Sequence, residues 1–284
     1  MEKIRTIRLP RRSLLSGGAT MAVVGLQPIK PAFAADSGER PVTLRDNQAY
    51  TKGPFTAFLA PYNRGSLVAA VDYAESFALD PARFPAGSLL AWDWPAASAN
   101  APVRGFLAVD YGDYYNTNPQ TPVPSSKVSD LEQLTCTRDL AITGTTAGFN
   151  VIINFFLTAT PDPNSILFEI EVFLHLPNYA RVYVEGVPPV GIFKSASGLV
   201  WNVRKDPRAA HGPDILFYLS DRSDLLVGAV DLRELLAWLT SRRVITGHEF
   251  FNGLAVGVEP QHRDGTLTVN ALSINYVLPA GRNR

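Results

Sequence analysis

The sequence has few of the residues that cross-link chains or span membranes. Among its 284 residues the only cysteine is Cys136, so an intrachain disulfide is impossible. After residue 34 no apolar run is long enough to cross a bilayer, which predicts no membrane insertion of the mature chain. A chain of about 250 residues is long enough for one large core, so its stability has to come from packing.

Several patterns that mark catalytic chemistry are also missing. No serine lies in a Gly-x-Ser-x-Gly elbow, and no glycine-rich phosphate loop is present. The histidines lack the spacing of metal ligands; they are His175, His211, His248 and His262. These absences argue against a serine hydrolase of that type and against a phosphate-loop enzyme. We expect no cofactor and no metal.

The first 34 residues have the composition of an export signal. Arg11 and Arg12 precede a mildly apolar stretch from Leu14 to Leu26, and Ala32-Phe-Ala34 supplies a small–x–small cleavage site. The paired arginines favour a twin-arginine signal, and an ordinary secretory signal is the alternative. Either signal predicts a periplasmic or extracellular protein whose mature chain begins at Ala35.

Removal of this signal makes the chain acidic. The segment holds six basic residues and one acidic residue, so 26 of each in the whole chain become 20 basic and 25 acidic, a net charge of −5. Nucleic acids and anionic membranes select basic surfaces, and neither is expected as a partner. A neutral polysaccharide fits this charge. We take a monomer as the default, although the residues leave the oligomeric state open.

Short runs of alternating apolar residues, separated by turn residues, cover most of the mature chain. Their spacing predicts an all-β fold with two packed sheets, a sandwich or jelly roll. We expect residues 53–284 to form one domain and residues 35–52 to be a linker or a first edge strand. The runs include Phe55–Leu59, Gly87–Trp94, Val103–Val109, Phe149–Leu157, Leu167–Leu176, Leu199–Val203, Ile215–Leu219, Gly253–Val258 and Thr266–Val277.

One helix is predicted within this strand pattern. Asp231-Leu-Arg-Glu234 has the capping-box arrangement, an N-cap acceptor with a glutamate three residues later. Leucines follow at helical spacing and form one apolar stripe: Leu232, Leu235, Leu236 and Leu239. The fold class is therefore an all-β two-sheet sandwich with one short helix.

Two glutamates interrupt apolar strands in a way that indicates chemistry. In the run 168–174, Glu169, Glu171 and Phe173 alternate with apolar residues and share one face. In the run 254–259, Glu259 shares a face with Ala255 and Gly257, opposite the branched apolar residues. Two carboxylates held on rigid strands are what hydrolysis of a glycosidic bond requires.

Nine segments, in order from about Gly87 to Tyr276, resemble the glycoside hydrolase family 12 endoglucanases. Phe168-Glu-Ile-Glu-Val-Phe-Leu174 resembles the family's Tyr-Glu-Leu-Met-Ile-Trp-Leu, and Val256-Gly-Val-Glu-Pro260 resembles its Phe-Gly-Thr-Glu-Pro. The other seven are Trp92-Asp-Trp94, Val103-Arg-Gly-Phe106, Val128-Ser-Asp-Leu131, Asn150-Val-Ile-Ile-Asn-Phe-Phe-Leu157, Pro189-Val-Gly191, Gly198-Leu-Val-Trp201 and Gly265-Thr-Leu-Thr-Val269.

The resemblance implies a concanavalin-like jelly roll and a retaining mechanism. Glu169 is then the nucleophile and Glu259 the general acid/base, with their carboxyl groups about 5–5.5 Å apart. Phe173 occupies the place of a family tryptophan and is a candidate wall of the cleft. Trp92 and Trp94 are candidates for stacking on sugar rings, with burial in the core as the alternative.

Three departures from the family pattern affect this assignment. Asn154 stands where the family has an aspartate beside the nucleophile, and an amide does not titrate. Glu171 replaces a methionine, and this third carboxylate either substitutes for the missing aspartate or disturbs the pair. The family's N-terminal Asn-Asn-Leu-Trp-Gly is absent, and Tyr62 lies in roughly that region.

These observations lead to two hypotheses. The first is a secreted endo-β-1,4-glucanase acting on cellulose-, xyloglucan- or mixed-linkage-type glucan, with Asn154 and Glu171 as supporting residues. The second is a relative that keeps the sugar-binding face but has lost turnover.

Overall fold

A computed structural model describes residues 5–6, 40–96, 102–116, 121–208, 212–222 and 225–279. In chain order its strands are β1 (Arg5–Thr6), β2 (Val42–Leu44), β3 (Gln48–Lys52), β4 (Phe55–Ala60), β5 (Ala74–Leu79), β6 (Ser88–Trp94), β7 (Phe106–Gly112), β8 (Ser126–Lys127), β9 (Gln133–Gly144), β10 (Phe149–Thr158), β11 (Ile166–His175), β12 (Pro189–Lys194), β13 (Val200–Asp206), β14 (Asp214–Ser220), β15 (Val227–Asp231), β16 (Phe250–Pro260) and β17 (Arg263–Val277). The described helices are α1 (Asn178–Gly186) and α2 (Leu232–Ser241).

These strands form two sheets. Sheet A has the order β1-β3-β4-β7-β16-β10-β11-β14-β13-β12, with the short β8 paired to the start of β16. Sheet B has the order β15-β9-β17-β6-β5-β2. Pairing is antiparallel except between β11 and β14, which run parallel. This architecture confirms the predicted all-β two-sheet fold.

The core lies between the two sheets, and sheet A also carries apolar residues on its other face, which we call the outer face. Strand β10 shows why, because all its residues are buried. Val151, Ile153 and Phe155 pack in the core, whereas Ile152 and Phe156 belong to a separate apolar cluster on the outer face. Strand residues alternate between faces, so Asn150 and Asn154 also lie on the outer face.

Residues 42–52 belong to the fold. They form β2, at the edge of sheet B, and β3, which pairs with β4 in sheet A. Residues 42–52 thus contribute one strand to each sheet. The predicted signal peptide lies outside the described residues, except for Arg5–Thr6, which pair with Gln48–Ala49.

Helix α2 confirms the N-cap half of the predicted capping box, whereas the Glu234 carboxylate accepts a hydrogen bond from the Ala196 N–H at 2.8 Å. The Asp231 side chain accepts a hydrogen bond from the Glu234 N–H at 2.9 Å, and the four leucines of the stripe are buried. Helix α1 is absent from the sequence-based prediction. Its N-cap position is Pro177, which makes no side-chain capping bond, and its sequence contains valines that suit strands as well as helices. Neither of these described helices has the length and apolar composition of a membrane span.

Candidate active site

Glu169 and Glu259 reach the outer face of sheet A from the two strands that flank β10. Glu169 lies on β11, opposite Phe156 of β10, and Glu259 lies on β16, opposite Asn150. Both glutamates are buried, with 4 % and 2 % of their surface exposed. The β10 residues opposite the two glutamates are six positions apart, roughly 20 Å along the strand.

Glu169 is held by an amide that is itself held. Asn154 Nδ2 donates a hydrogen bond to Glu169 Oε1 at 2.9 Å, and the Tyr114 hydroxyl donates to Asn154 Oδ1 at 2.5 Å. Asn154 is completely buried. Because the tyrosine occupies the carbonyl end of the amide, the amino end is directed at the carboxylate. This arrangement fixes the orientation of Glu169.

Glu259 receives a donor on each oxygen. Tyr62 donates to Oε1 at 3.2 Å, and Asn150 Nδ2 donates to Oε2 at 3.1 Å. Asn150 Oδ1 is buried and has no hydrogen-bond partner among the described residues. A rotated amide would direct this acceptor at Glu259, and a hydroxyl can donate or accept. Tyr62 and Asn150 can therefore serve both the ionised and the protonated carboxyl.

The loop that carries Tyr62 is tied to the end of β16. Arg104 donates its backbone N–H to the Pro260 carbonyl at 2.7 Å and its Nη1 to the Asn63 carbonyl at 3.2 Å. Asn63 Nδ2 in turn donates to the Val103 carbonyl at 2.8 Å. Pro260 directly follows Glu259, so these bonds set the tyrosine against the carboxylate it contacts.

A glycine allows the neighbouring strand to come close beside Glu259. Gly257 shares the outer face with Glu259, two residues earlier on β16. A Cβ added at Gly257 would lie 2.2 Å from the Leu107 carbonyl oxygen and 2.5 Å from the Ala108 Cβ on β7. Only glycine fits this approach.

Glu171 is the third carboxylate on this face. It lies directly opposite Asn154 on β10 and opposite Phe217 on β14, and it is 6 % exposed. Phe173 also lies there, buried in the outer-face cluster and 6.0 Å from the ring centre of Phe217. The alternation of β11 thus places Glu169, Glu171 and Phe173 together, as expected.

Trp92 and Trp94 are not on this face. Both lie on β6 of sheet B, 1 % exposed, in the core between the sheets. Trp94 stacks on Tyr73 at 4.0 Å, and its Nε1 donates to Glu75 Oε1 at 3.1 Å. The stacking role suggested for the two tryptophans is therefore corrected to burial in the core, because neither ring has a free surface. Period-two spacing predicts their shared face but not its direction.

Glu75, which accepts the hydrogen bond from Trp94, is a carboxyl group buried in the protein interior. Burial raises its pKa to about 8, the Trp94 hydrogen bond opposes this shift, and the charge of Asp46 adds to it. Its second oxygen is buried without a hydrogen-bond partner among the described residues. Such a carboxyl is best accommodated in the protonated form.

Two openings on the described surface lie near the strands of the site. A depression of about 680 Å³ is lined by the starts of β11 and β14, including Leu167, Phe168 and Asp214. It adjoins Glu169 in sequence but is not lined by either glutamate. A smaller crevice involves Tyr114, Tyr115 and Phe156. Within the described residues, no group of three or more histidine, cysteine or acidic side chains could hold a metal ion.

Tyr62 and Asn150 are the site residues to which sequence reasoning assigns no role. In the sequence, Tyr62 is notable only because it lies in the region of the missing tryptophan motif. Asn150 is notable only as the first residue of a segment that resembles the family 12 pattern. The hydrogen bonds that reveal them join residues 197 and 109 positions apart. No local pattern could have predicted those contacts.

Comparison with solved structures identifies the fold. A Bacillus licheniformis family 12 xyloglucanase, solved with a ligand, superposes with a TM-score of 0.67 at 14 % identity, covering 84 % of this chain and 100 % of that one. Endoglucanase 3 of Trichoderma harzianum, from glycoside hydrolase family 12, superposes with a TM-score of 0.65 at 13 % identity, covering 86 % of this chain and 100 % of that one. The catalytic domain of Humicola grisea Cel12A with a soaked thio cellotetraose superposes with a TM-score of 0.66 at 14 % identity, covering 84 % of this chain and 99 % of that one.

The chain therefore has the two-sheet fold of the family 12 glycoside hydrolases. At these identities the likeness shows the fold alone. No family model and no curated protein sequence matches this chain.

Proposed function

We propose that this protein is a retaining endo-β-1,4-glucan hydrolase with Glu169 as nucleophile and Glu259 as general acid/base. The observation that carries the proposal is the arrangement on the outer face: two glutamates flank β10, and each is oriented by an asparagine of that strand. The fold shared with xyloglucanases and endoglucanases supports a β-glucan as the substrate class.

Each residue then has a defined task. Asn154 holds the Glu169 carboxylate in place, and that carboxylate attacks the anomeric carbon to form a glycosyl–enzyme as the bond to the leaving oxygen breaks. Glu259 gives its proton to the leaving oxygen and then removes a proton from the water that releases the sugar. Tyr62 and Asn150 keep Glu259 in place through both protonation states.

Glu171 has a supporting role in this proposal. Three carboxylates share one largely buried face, and like charges at short range oppose simultaneous ionisation. Asn154 cannot take up a proton, so we infer that Glu171 supplies the titratable group that the family pattern places beside the nucleophile.

The test is reducing-sugar release from a panel of soluble β-glucans. The wild-type protein should act on at least one glucan, and Glu169→Gln should remove the activity without loss of the fold. Glu132→Gln is the matched control, because Glu132 is exposed and belongs to neither strand of the site. Full activity in Glu169→Gln would refute the nucleophile assignment.

A non-hydrolytic glycan-binding protein is the second candidate. The observation that favours it is the hydrogen bond from Asn154 to Glu169, because the amide beside the proposed nucleophile does not titrate. Saturable binding of one glucan, with no release of reducing sugar from any of them, would support this alternative.

Export of the protein is a separate proposal that rests on the signal-like first 34 residues. Cleavage after Ala34 would also remove β1, leaving β3 at the edge of sheet A. Replacement of Arg11 and Arg12 by lysine should leave the precursor in the cytoplasm, as measured by cell fractionation. Unchanged export of this variant would favour an ordinary secretory signal.

A further inference from the structure

The outer face continues from the two glutamates onto β14. Strands β11 and β14 are paired in register, with Glu169 opposite Ile215 and Glu171 opposite Phe217. Residues in register point to the same side of a sheet. Ile215, Phe217 and Leu219 therefore extend the face that carries the glutamates.

Helix α1 covers this part of the face. Ile215, Phe217 and Leu219 are nearly buried, and they share the outer-face cluster with Val184 and Val187. Ala180, one helical turn before Val184, packs against the same cluster. Val182 is on the opposite side of the helix and is 71 % exposed. One side of α1 thus belongs to the outer-face cluster that includes β14, and the other side faces solvent.

The end of α1 is fastened to the next strand. Arg204 Nη1 donates to the carbonyl oxygens of Glu185 at 2.6 Å and Val187 at 2.7 Å. Arg204 lies opposite Phe217 in register, so it projects from the outer face of β13. Tyr183 adds a hydrogen bond from its hydroxyl to Asp206 at 3.3 Å. These contacts anchor the end of the helix to β13.

We propose that α1 is a wall that ends the glycan-binding face immediately beyond the nucleophile strand. Neighbouring strands are about 4.8 Å apart, and a helix is about 10 Å thick, so α1 stands over the first two strand positions past β11. The side chains that α1 and β14 contribute to the outer-face cluster are apolar and offer no partner to sugar hydroxyls. The site would therefore hold only a short stretch of glucan on that side.

This inference rests on the proposed function, since it assumes that the face binds β-glucan. The wall concerns the length of glucan that the site can bind and does not concern the cleavage reaction. A wall at this position limits the gain in affinity from each additional sugar unit, whether or not the bound chain is cleaved.

The experiment measures binding of cello-oligosaccharides of increasing length by calorimetry, in a Glu169→Gln background that prevents turnover. Val184→Asp places a charge under α1 and should lift the helix from β14. Val182→Asp is the matched control, with the same change on the exposed side of the same helix. Arg204→Ala releases the helix end independently, should Val184→Asp fail to fold.

We expect affinity to level off at a short chain length in the parent and in the Val182→Asp control. The Val184→Asp and Arg204→Ala proteins should go on gaining affinity with length, by about tenfold for the longest oligosaccharide, the equivalent of one more hydrogen-bonded sugar. An unchanged plateau in both folded variants, or a parent without a plateau, would overturn the wall.

Failure of the proposed function would look different. Wild-type protein that releases no reducing sugar but shows the plateau would refute the hydrolase and leave the wall standing. Hydrolysis of glucan with no plateau in the binding series would support the hydrolase and refute the wall. Absence of binding at every length would overturn both.

Discussion

At the scale of single residues, the hydrogen bond between Asn154 and Glu169 is the main difference between this site and the family 12 pattern, which has an aspartate at the position of Asn154. Its donor is an amide, fixed by Tyr114, and it keeps the same hydrogen-bonding character at every pH at which the protein is folded. Asn154 itself therefore contributes no titration to the pH dependence of the reaction.

Asn154→Asp should change the pH profile of kcat/KM. An aspartate can donate to Glu169 only while it is protonated, so the two would share one proton and activity would be lost when that proton leaves. We expect the alkaline limb to move to lower pH than in wild type. Asn154→Ala removes the donor at every pH and should lower the rate without moving the limb. Superimposable profiles for wild type and the Asn154→Asp variant would contradict this role.

Glu75→Gln should make stability less sensitive to pH. The pKa of Glu75 is about 8 in the folded protein against 4.5 in the reference state, chiefly because of burial. A raised pKa stabilises the fold below about pH 4.5, and this contribution disappears as pH rises to about 8. As the pH rises across this window, the free energy of unfolding of wild type should fall by on the order of a few kcal/mol relative to that of the variant.

Chemical denaturation of both proteins between pH 5 and pH 9 measures the difference. Two curves that run parallel over this range would mean that Glu75 does not titrate as its burial implies.

The sequence predicts the residues that alternate along one strand, and it cannot predict the residues that meet across strands. Glu169, Glu171 and Phe173 fall on one face because side chains alternate with a period of two. The same rule pairs Trp92 with Trp94 but leaves open whether they point into the core. Tyr62 reaches Glu259 through a fold-level contact that no period describes.

At the scale of secondary-structure elements, the approach of β7 to β16 decides how well Glu259 is held. The two strands come close at Gly257, where no side chain fits.

Gly257→Ala should destabilise the protein by about 1–3 kcal/mol, because the new methyl group overlaps backbone and side-chain atoms of β7. Activity should fall with it, since Glu259 is two residues away on the same strand. Gly186→Ala is the control: an added Cβ there has no atom within 4 Å. Thermal melts of the two variants should differ clearly, and equal melting temperatures would refute the close approach.

Helix α2 is predictable from the sequence and α1 is not, for a physical reason. Asp231 is an N-cap residue that the local sequence predicts. Helix α1 lacks such a cap and is stabilised by hydrogen bonds to β13 and by the outer-face apolar cluster, which brings together residues distant in sequence. Tertiary packing rather than local propensity makes that segment helical.

At the scale of the whole molecule, two sheets enclose one core without a disulfide. Cys136 lies in the middle of β9, between β15 and β17, and is fully buried. Burial raises the pKa of its thiol to about 12.

Cys136 should therefore report the opening of the sandwich. The thiolate is the reactive form, so labelling by a thiol reagent near neutral pH should be very slow in the folded protein and complete in denaturant. The labelling rate should rise together with the unfolding rate as denaturant is added. Rapid labelling of the native protein would show that β9 is accessible without global unfolding.

Fold class is the feature that the sequence predicts best, because nine of the strands coincide with apolar runs that are visible in the sequence. Which face of sheet A carries a second apolar cluster is not predictable in this way. That property depends on the assembly of strands from both halves of the chain, such as β4, β7 and β14, into one sheet around β16, β10 and β11.

The measurement that tests the central claim most directly is trapping of the covalent intermediate. The protein is incubated with an activated 2-deoxy-2-fluoro cellobioside, and its mass and peptide map are determined by mass spectrometry. We predict one added glycosyl unit on the peptide that contains Glu169, and none in Glu169→Gln. Hydrolysis of glucan without any adduct, or an adduct on Glu171 instead, would contradict the assignment.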